Sequence, residues 1–266
     1  MSPTSTPGCS TPLSGKVEIV GKIFNPISSE VFVQALFFNF SRQCFFPMGK
    51  VMGIDEAGRG PVIGSMFIGG FLVDEEDLDE LEELGVKDSK KLSDKKRERL
   101  RKEINSVGDT FLKEVTASDI DDLRAVMSLN EIELKGFADL IDRAEADKVF
   151  MDLPEPNAER FIGKVKDLMD TDTDIEFTAE HGADDTFPVV SAASIVAKSA
   201  SKNHVDKLKK KYGYDFKSGY PHDKPTINFL EKYLEEKGEL PKETRLSWST
   251  AERIIKEGSQ NSLDDY

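Results

Sequence analysis

The sequence has only two cysteines, Cys9 and Cys44, and both precede residue 48. No disulfide framework and no zinc-ligand spacing is therefore possible in the rest of the chain. Long apolar runs are missing as well. The longest near the start, Val31 to Phe38, falls far short of the roughly 20 apolar residues that cross a bilayer. No basic cluster opens the chain and no small-residue cleavage site follows that run, so the signal-peptide pattern fails. There is no internal repeat. There is also no G-x-x-x-x-G-K-[ST] run, which excludes a phosphate-loop nucleotide enzyme. Surplus positive charge is absent: 36 Lys and Arg face 50 Asp and Glu, for a net charge of −14. Taken alone, that balance argues against a nucleic-acid partner, whose phosphates call for an excess of bases. The expectation is a cytoplasmic protein, monomeric, without membrane contact.

What is present is unevenly distributed. Residues 74 to 83 (DEEDLDELEE) carry eight acids and no base, whereas residues 86 to 102 carry nine bases against three acids. Each run alone reads as a solvated helix face. Residues 1 to 47 begin with a Ser/Thr/Pro/Gly tract that cannot bury enough surface to order itself. Met48 stands directly before a strong strand, so it is either the natural start or the end of a real, partly disordered arm. From residue 50 onward strands and helices alternate. Lys50 to Asp55, Val62 to Val73, Thr110 to Thr116, Lys148 to Leu153 and Asp174 to Thr178 read as strands, the first two as an antiparallel hairpin. Helices are expected from Asp94 to Asn105 behind an Ser93 cap, from Asn130 to Ala146, from Pro156 to Met169 and from Ser191 to Lys211. Two shorter ones are expected near Thr226 to Lys237 and Thr250 to Lys256, with a frayed tail. This is an α/β pattern with a mixed sheet.

The chemistry concentrates in GIDEAGRGP, residues 53 to 61. Asp55 and Glu56 close an apolar strand, where charge is costly unless paired. Paired acids beside a glycine turn suit a hard divalent cation together with a phosphate. A tight hairpin in which Arg59 neutralises its acidic neighbours fits the motif equally well. Asp152 ends the strand KVFMD, and Asp184 lies in HGADD, ahead of the apolar FPVVSAASIVAK. A lone acid at such a place is commonly a cap. Four acids in close quarters, however, cannot all ionise without cations. Two Mg²⁺ ions about 3.5–4 Å apart would resolve this and make a phosphodiester hydrolase. His181 has no partner at zinc-ligand spacing and reads as structural.

The segment GIDEAGRGPVIG resembles the signature of type 2 ribonuclease H (ribonuclease HII), particularly its archaeal and eukaryotic-like branch. KDSKKLS (87 to 93), MDLP, HGAD with FPVVSAASIVAK, and YGYDFKSGYPHD resemble later blocks of the family in the right order, over about residues 50 to 225. The resemblance implies a ribonuclease H-like α/β fold: a five-stranded mixed sheet flanked by helices with a C-terminal helical appendage. It also implies a division into a catalytic domain at 48–211 and a substrate-binding region at 212–266. Asp55, Glu56, Asp152 and Asp184 match the family's metal-binding carboxylates, for Mg²⁺ or Mn²⁺. Asp185 leaves a one-residue ambiguity that the HGAD match resolves toward Asp184. Gly58, Arg59 and Gly60 match the tripeptide that reads the ribose 2′-hydroxyl, the group that separates RNA from DNA locally. Tyr220 matches the tyrosine that packs on that ribose. Lys198 and Ser194 are phosphate-contact candidates, and Lys87 and Ser89 weaker ones. Gly182 departs from the family, which usually has a base there.

The activity so implied is cleavage of RNA/DNA hybrids and of duplex DNA with embedded ribonucleotides. The cut falls 5′ to the ribonucleotide and leaves 3′-hydroxyl and 5′-phosphate ends. Lys207, Lys209, Lys210, Lys211 and the bases from Lys90 to Lys102 are expected to face the duplex, with the acidic run turned away. Accessory subunits are left open. The rivals are a DNA resolvase of the same fold and a binding module without turnover.

Overall fold

The computed structural model describes residues 49–87, 92–171 and 174–264, the last four by backbone alone. The expectations for residues 1–47 and for Ser89 lie outside the described residues. Strand β1 (Lys50–Ala57) turns into β2 (Met66–Asp74), and the two pair antiparallel as the short link requires. An acidic helix α1 (Leu78–Glu83) and a basic helix α2 (Asp94–Glu103) precede β3 (Asp109–Val115). Then come α3 (Ala117–Arg124), α4 (Leu129–Ile141), β4 (Lys148–Asp152), α5 (Ala158–Leu168) and β5 (Glu176–Glu180). A short α6 (Ala183–Thr186) leads into the long α7 (Pro188–Tyr212), followed by α8 (Lys224–Lys237) and α9 (Ser249–Asp264). The five-stranded sheet has the order β3-β2-β1-β4-β5. β2 and β3 pair antiparallel, and β1, β4 and β5 run parallel. This is the mixed sheet expected from the sequence.

Helix starts follow local chemistry. Ser93 caps α2, as expected, by accepting from the Lys96 amide. Thr116 with Asp119, and Ser128 with Glu131, form reciprocal capping boxes at α3 and α4. Several boundaries differ from the sequence reading. β2 starts at Met66 rather than Val62, because Val62 and Ile63 pair elsewhere. The Val62 amide donates to Gly219 O at 2.8 Å, the Arg245 amide donates to Val62 O at 2.8 Å, and Ile63 bridges Thr244. β5 lies two residues later than expected because it follows the register of β4, Lys148 opposite Glu176. The tail does not fray at Lys256: α9 continues to Asp264, with the Ser259 hydroxyl donating to Ile255 O. The acidic run read as a solvated helix face does hold α1, whereas the short helices α3 and α6 were not expected, being too brief for a 3.6-residue stripe to show.

Alternation along β1 and β2 divides the core into two layers. Met52, Ile54 and Ile68 pack with Phe137 and Leu140 of α4 and Phe161 of α5. Val51, Phe71 and Val73 pack with Val190, Ile195 and Val196 of α7. The second layer is unusually thin. A Cβ on Gly53 would lie 2.2 Å from the carbonyl of Val189, and one on Gly69 would lie 2.4 Å from Ala193 O. The backbone of α7 therefore rests directly on two strand glycines, and its own small residues (SAAS) permit the same approach from the other side. A third cluster joins Val62 and Ile63 to Leu208 of α7, Phe229 and Leu230 of α8, and Ile254 of α9. It fastens the C-terminal helices to the β1–β2 link. Among the described residues, no helix is long and apolar enough to cross a membrane.

Gly53→Ala should force α7 off the sheet. Overpacking of this kind costs about 1–3 kcal/mol or more, measurable as a lower urea midpoint with an unchanged slope. A wild-type midpoint would show that α7 is not held by this contact.

Candidate active site

Asp55 and Glu56 are consecutive residues near the end of β1, so their side chains leave opposite faces of the sheet. Asp55 follows Val51 and Gly53 toward α7, whereas Glu56 follows Met52 and Ile54 toward α4. Asp55 is buried and Glu56 half-buried. Burial, then the neighbouring Glu56, push the Asp55 carboxyl up to about 8; Ser194 and Lys198 pull it back, and Asp184 adds to the rise. Burial, then Glu133, push Glu56 up to about 7, with Arg59 opposing. Ser194 is fully buried. Its hydroxyl stands against Asp55 and lowers that carboxyl's pKa, though not in the alignment of a full hydrogen bond.

The other two acids arrive from neighbouring elements. The register Ile54 opposite Met151 brings Asp152, at the end of the parallel β4, beside Asp55. Its Oδ1 accepts from the Ala183 amide at 3.0 Å, which ties β4 to the start of α6. Asp184 on α6 is buried at 4% exposure, whereas Asp185 is exposed; Lys198 Nζ lies 3.7 Å from Asp184 Oδ2. All four carboxylates thus gather at one end of β1 and β4. Among the described residues, no group of three or more Asp, Glu, His or Cys side chains stands together as a set that could hold a metal ion. The donor set nonetheless suits a hard divalent cation: it is all oxygen and partly buried, and burial and repulsion raise the Asp55 and Glu56 carboxyls.

The turn Gly58-Arg59-Gly60 is held by residues that sequence reasoning missed. Arg245, fully buried, donates from Nη2 to Gly58 O at 2.5 Å, from Nη1 to Arg59 O at 2.7 Å and from Nε to Gly64 O at 2.9 Å. Trp248 Nε1 donates to Gly60 O at 3.3 Å. Every carbonyl of the tripeptide is thereby drawn to one short C-terminal segment. Burial lowers the Arg245 pKa to about 10, yet three carbonyls satisfy its fork. The Arg59 side chain points the other way: Nη2 donates to Asn130 Oδ1, and Nε lies 3.3 Å from Glu133 Oε2. Glu133 is 2% exposed, and burial pushes its carboxyl up to about 7 against the pull of Arg59. One signal was available for Glu133: it shares the apolar face of α4 with Phe137, Leu140 and Ile141. For Arg245 there was none beyond a base near the only tryptophan.

Tyr220 closes the other side of the turn. A Cβ on Gly60 would lie 2.8 Å from Tyr220 Cε1, so the ring rests on that glycine. A cleft of about 870 Å³ opens here, lined by Glu56, Arg59, Lys198, Lys202, Lys209 and Tyr220 among others. Of the four lysines expected near the end of α7, Lys209 alone lines it, and Lys211 instead pairs with Glu243 at 2.6 Å. The reason is helical spacing: Lys198, Lys202, Val205 and Lys209 share one face, and their immediate neighbours do not. From α2, Arg97 reaches the cleft; the acidic run at 74–83 contributes nothing to its lining.

Comparison with known proteins identifies the family. A family model described as ribonuclease HII matches residues 52–251. The ribonuclease HII of Methanothrix thermoacetophila is 46% identical over 208 residues, covering 78% of this chain and 98% of that protein. That of Thermococcus kodakarensis is 42% identical over 227 residues, covering 82% and 98%. The crystal structure of ribonuclease H2 from Pyrococcus horikoshii OT3 superimposes with a TM-score of 0.75 at 38% identity, covering 80% of this chain and all of that one. A ribonuclease HII solved in complex with PCNA from Archaeoglobus fulgidus gives 0.68 at 37% identity, covering 75% and 95%.

Two outcomes are expected. The unfolded chain releases the Asp55, Glu56 and Glu133 protons near the ordinary values of 3.8, 4.5 and 4.5, whereas the folded chain holds them up to about 8, 7 and 7, which sets a window from there to about 7 for the two glutamates and about 8 for Asp55. Stability of metal-free protein should therefore fall as pH rises through this window, and more gently in Asp55→Asn; equal slopes would contradict the assignment. Arg245→Lys, which cannot serve three carbonyls with a planar fork, should cost about 2–4 kcal/mol in urea unfolding; a loss below about 0.5 kcal/mol would mean the turn does not depend on it.

Proposed function

The chain belongs to the ribonuclease HII family and is an endoribonuclease of RNA/DNA hybrids and of ribonucleotides embedded in duplex DNA, dependent on divalent metal ions; from that premise we propose which of its residues do the work and how. Asp55, Glu56, Asp152 and Asp184 hold the ions, two of them, Mg²⁺ or Mn²⁺. The observation that supports this best is the convergence of these carboxylates, from β1, β4 and α6, beside a backbone turn whose carbonyls are all engaged from behind. When bound, the ions supply the positive charge that lets the acids ionise together and that stabilises charge developing on the phosphate.

The remaining work falls to the chain itself. Ser194 acts on Asp55 rather than on a phosphate, because it is fully buried against that carboxyl. Lys198 reaches from Asp184 into the cleft and meets the scissile phosphate. Arg245 and Trp248 fix the Gly58-Arg59-Gly60 turn so that its amide side reads the 2′-hydroxyl. Tyr220 packs on the same ribose. Lys202, Lys209 and Arg97 follow the flanking phosphates, which answers the objection raised by the net charge. Water adds to phosphorus, and the bond from phosphorus to the 3′ oxygen on the 5′ side of the ribonucleotide breaks. The 3′-hydroxyl and the 5′-phosphate remain. In this division of labour residues 48–211 carry the chemistry and 212–266 grip the duplex. A cytoplasmic protein and a sliding-clamp partner of the kind seen with the Archaeoglobus fulgidus relative belong to the same proposal.

The test is a gel assay on three duplexes: a hybrid, a DNA duplex with one ribonucleotide, and an all-DNA control, with and without Mg²⁺. Cutting of the first two alone, only with Mg²⁺, is expected. Asp55→Asn should remove about a thousandfold or more of the rate with the fold retained, and Tyr220→Ala should hurt the single-ribonucleotide duplex more than it hurts stability. Cutting of the control, or a near-normal rate in Asp55→Asn, would refute the assignment.

A further inference from the structure

Glu133 is not one of the four proposed metal-holding carboxylates, although it repels Glu56; at 2% exposure it is more deeply enclosed than Asp55 at 6% or Asp184 at 4%. It lies among Ile132, Leu134, Phe137 and Leu140, all buried on α4. A carboxylate on an apolar helix face lowers stability unless a partner compensates, and a purely structural residue there would be aliphatic. Its Oε2 is buried without an aligned hydrogen bond and meets Arg59 Nε at 3.3 Å. One turn earlier, three residues back on the same face, Asn130 accepts from Arg59 Nη2. The capping box of Ser128 and Glu131 fixes that first turn of α4. The Arg59 side chain is thus drawn onto α4, while its carbonyl is drawn to Arg245 at 2.7 Å on the other side. The residue is gripped at both ends.

We propose that Glu133 is a positioning residue for ribonucleotide recognition: through its ion pair it fixes Arg59, and with it the Gly58–Gly60 backbone, against the ribose at the cut. The inference rests on the reading of that turn as the ribose sensor. Glu133 touches no substrate and acts through Arg59. A stability cost accepted in return for a fixed geometry is a common mark of a functional site. Removing the carboxylate should therefore relieve the fold while loosening the turn, so the loss falls on turnover rather than on binding of the duplex, whose phosphates are met by other residues.

A double-mutant cycle on a duplex with one ribonucleotide, with kcat and KM resolved, tests this. Glu133→Ala is expected to lower kcat roughly 10- to 100-fold. KM should change by less than about threefold, and the melting temperature should hold or rise. Glu133→Gln, which keeps an oxygen toward Arg59, should recover most of the rate. Adding Glu133→Ala to Arg59→Ala should cause no further loss. If Glu133→Ala does not fold, Glu133→Met, closer in volume, takes its place. Multiplying losses in the double variant, or wild-type kcat in Glu133→Ala, would overturn the proposal. A wild-type protein that leaves this duplex uncut overturns the reading of the site and this inference with it.

Discussion

Consecutive side chains on a strand point to opposite faces, and here that rule acts on two acids. Asp55 and Glu56 start from opposite faces, so each meets its own layer as well as the other acid. On the α7 side the answer is Ser194 and Lys198, one turn apart on a helix that rests on Gly53 and Gly69. On the α4 side it is Arg59, itself held by Asn130 and Glu133. The thinness of one layer and the buried acid in the other both follow from where β1 sends its last two carboxylates. Burial and repulsion from Glu56 and Asp184 raise the Asp55 carboxyl, and bound positive charge would relieve that repulsion.

The second constraint is the rigidity of the turn that follows. Its three carbonyls all accept from Arg245 or Trp248, residues nearly two hundred positions downstream. The C-terminal segment is therefore part of the site and not only a cover for it. Arg245 is stacked on Trp248 at 4.9 Å, and Arg124 lies over the same indole at 5.2 Å, so the end of α3 is joined to the same arrangement. Tyr220 rests on Gly60 from the cleft side. A turn held from behind and flanked by a ring suits a group that must recognise one hydroxyl by backbone contacts.

Much of this was legible beforehand, for identifiable reasons. GIDEAGRGP puts charge at an apolar strand end, which has few inexpensive explanations. HGADD set before an apolar helix marked an acid there but left Asp184 and Asp185 open until the family resemblance favoured Asp184; the structure buries Asp184 and exposes Asp185. The hairpin, the mixed sheet and the long basic-ended helix followed from alternation and periodicity. Contacts that join distant segments by single hydrogen bonds were not legible. Arg245 carries no local pattern, and Val62 and Ile63 look like the start of β2 because their pairing with Gly219 and Thr244 is invisible in one dimension. Lysines 207, 209, 210 and 211 look alike as a run, and only the helix phase singles out Lys209. Glu133 could have been noticed as a charge on an apolar face, but its partner Arg59 had already been assigned elsewhere.

The central claim is that Asp55, Glu56, Asp152 and Asp184 together bind divalent ions. Anomalous diffraction from crystals soaked in Mn²⁺ tests it most directly, because the signal marks the metal independently of any assumption about activity. The account predicts a peak among these four carboxylates that is lost in Asp55→Asn. A peak elsewhere, or one that leaves Asp152 and Asp184 turned away from the ion, would contradict it.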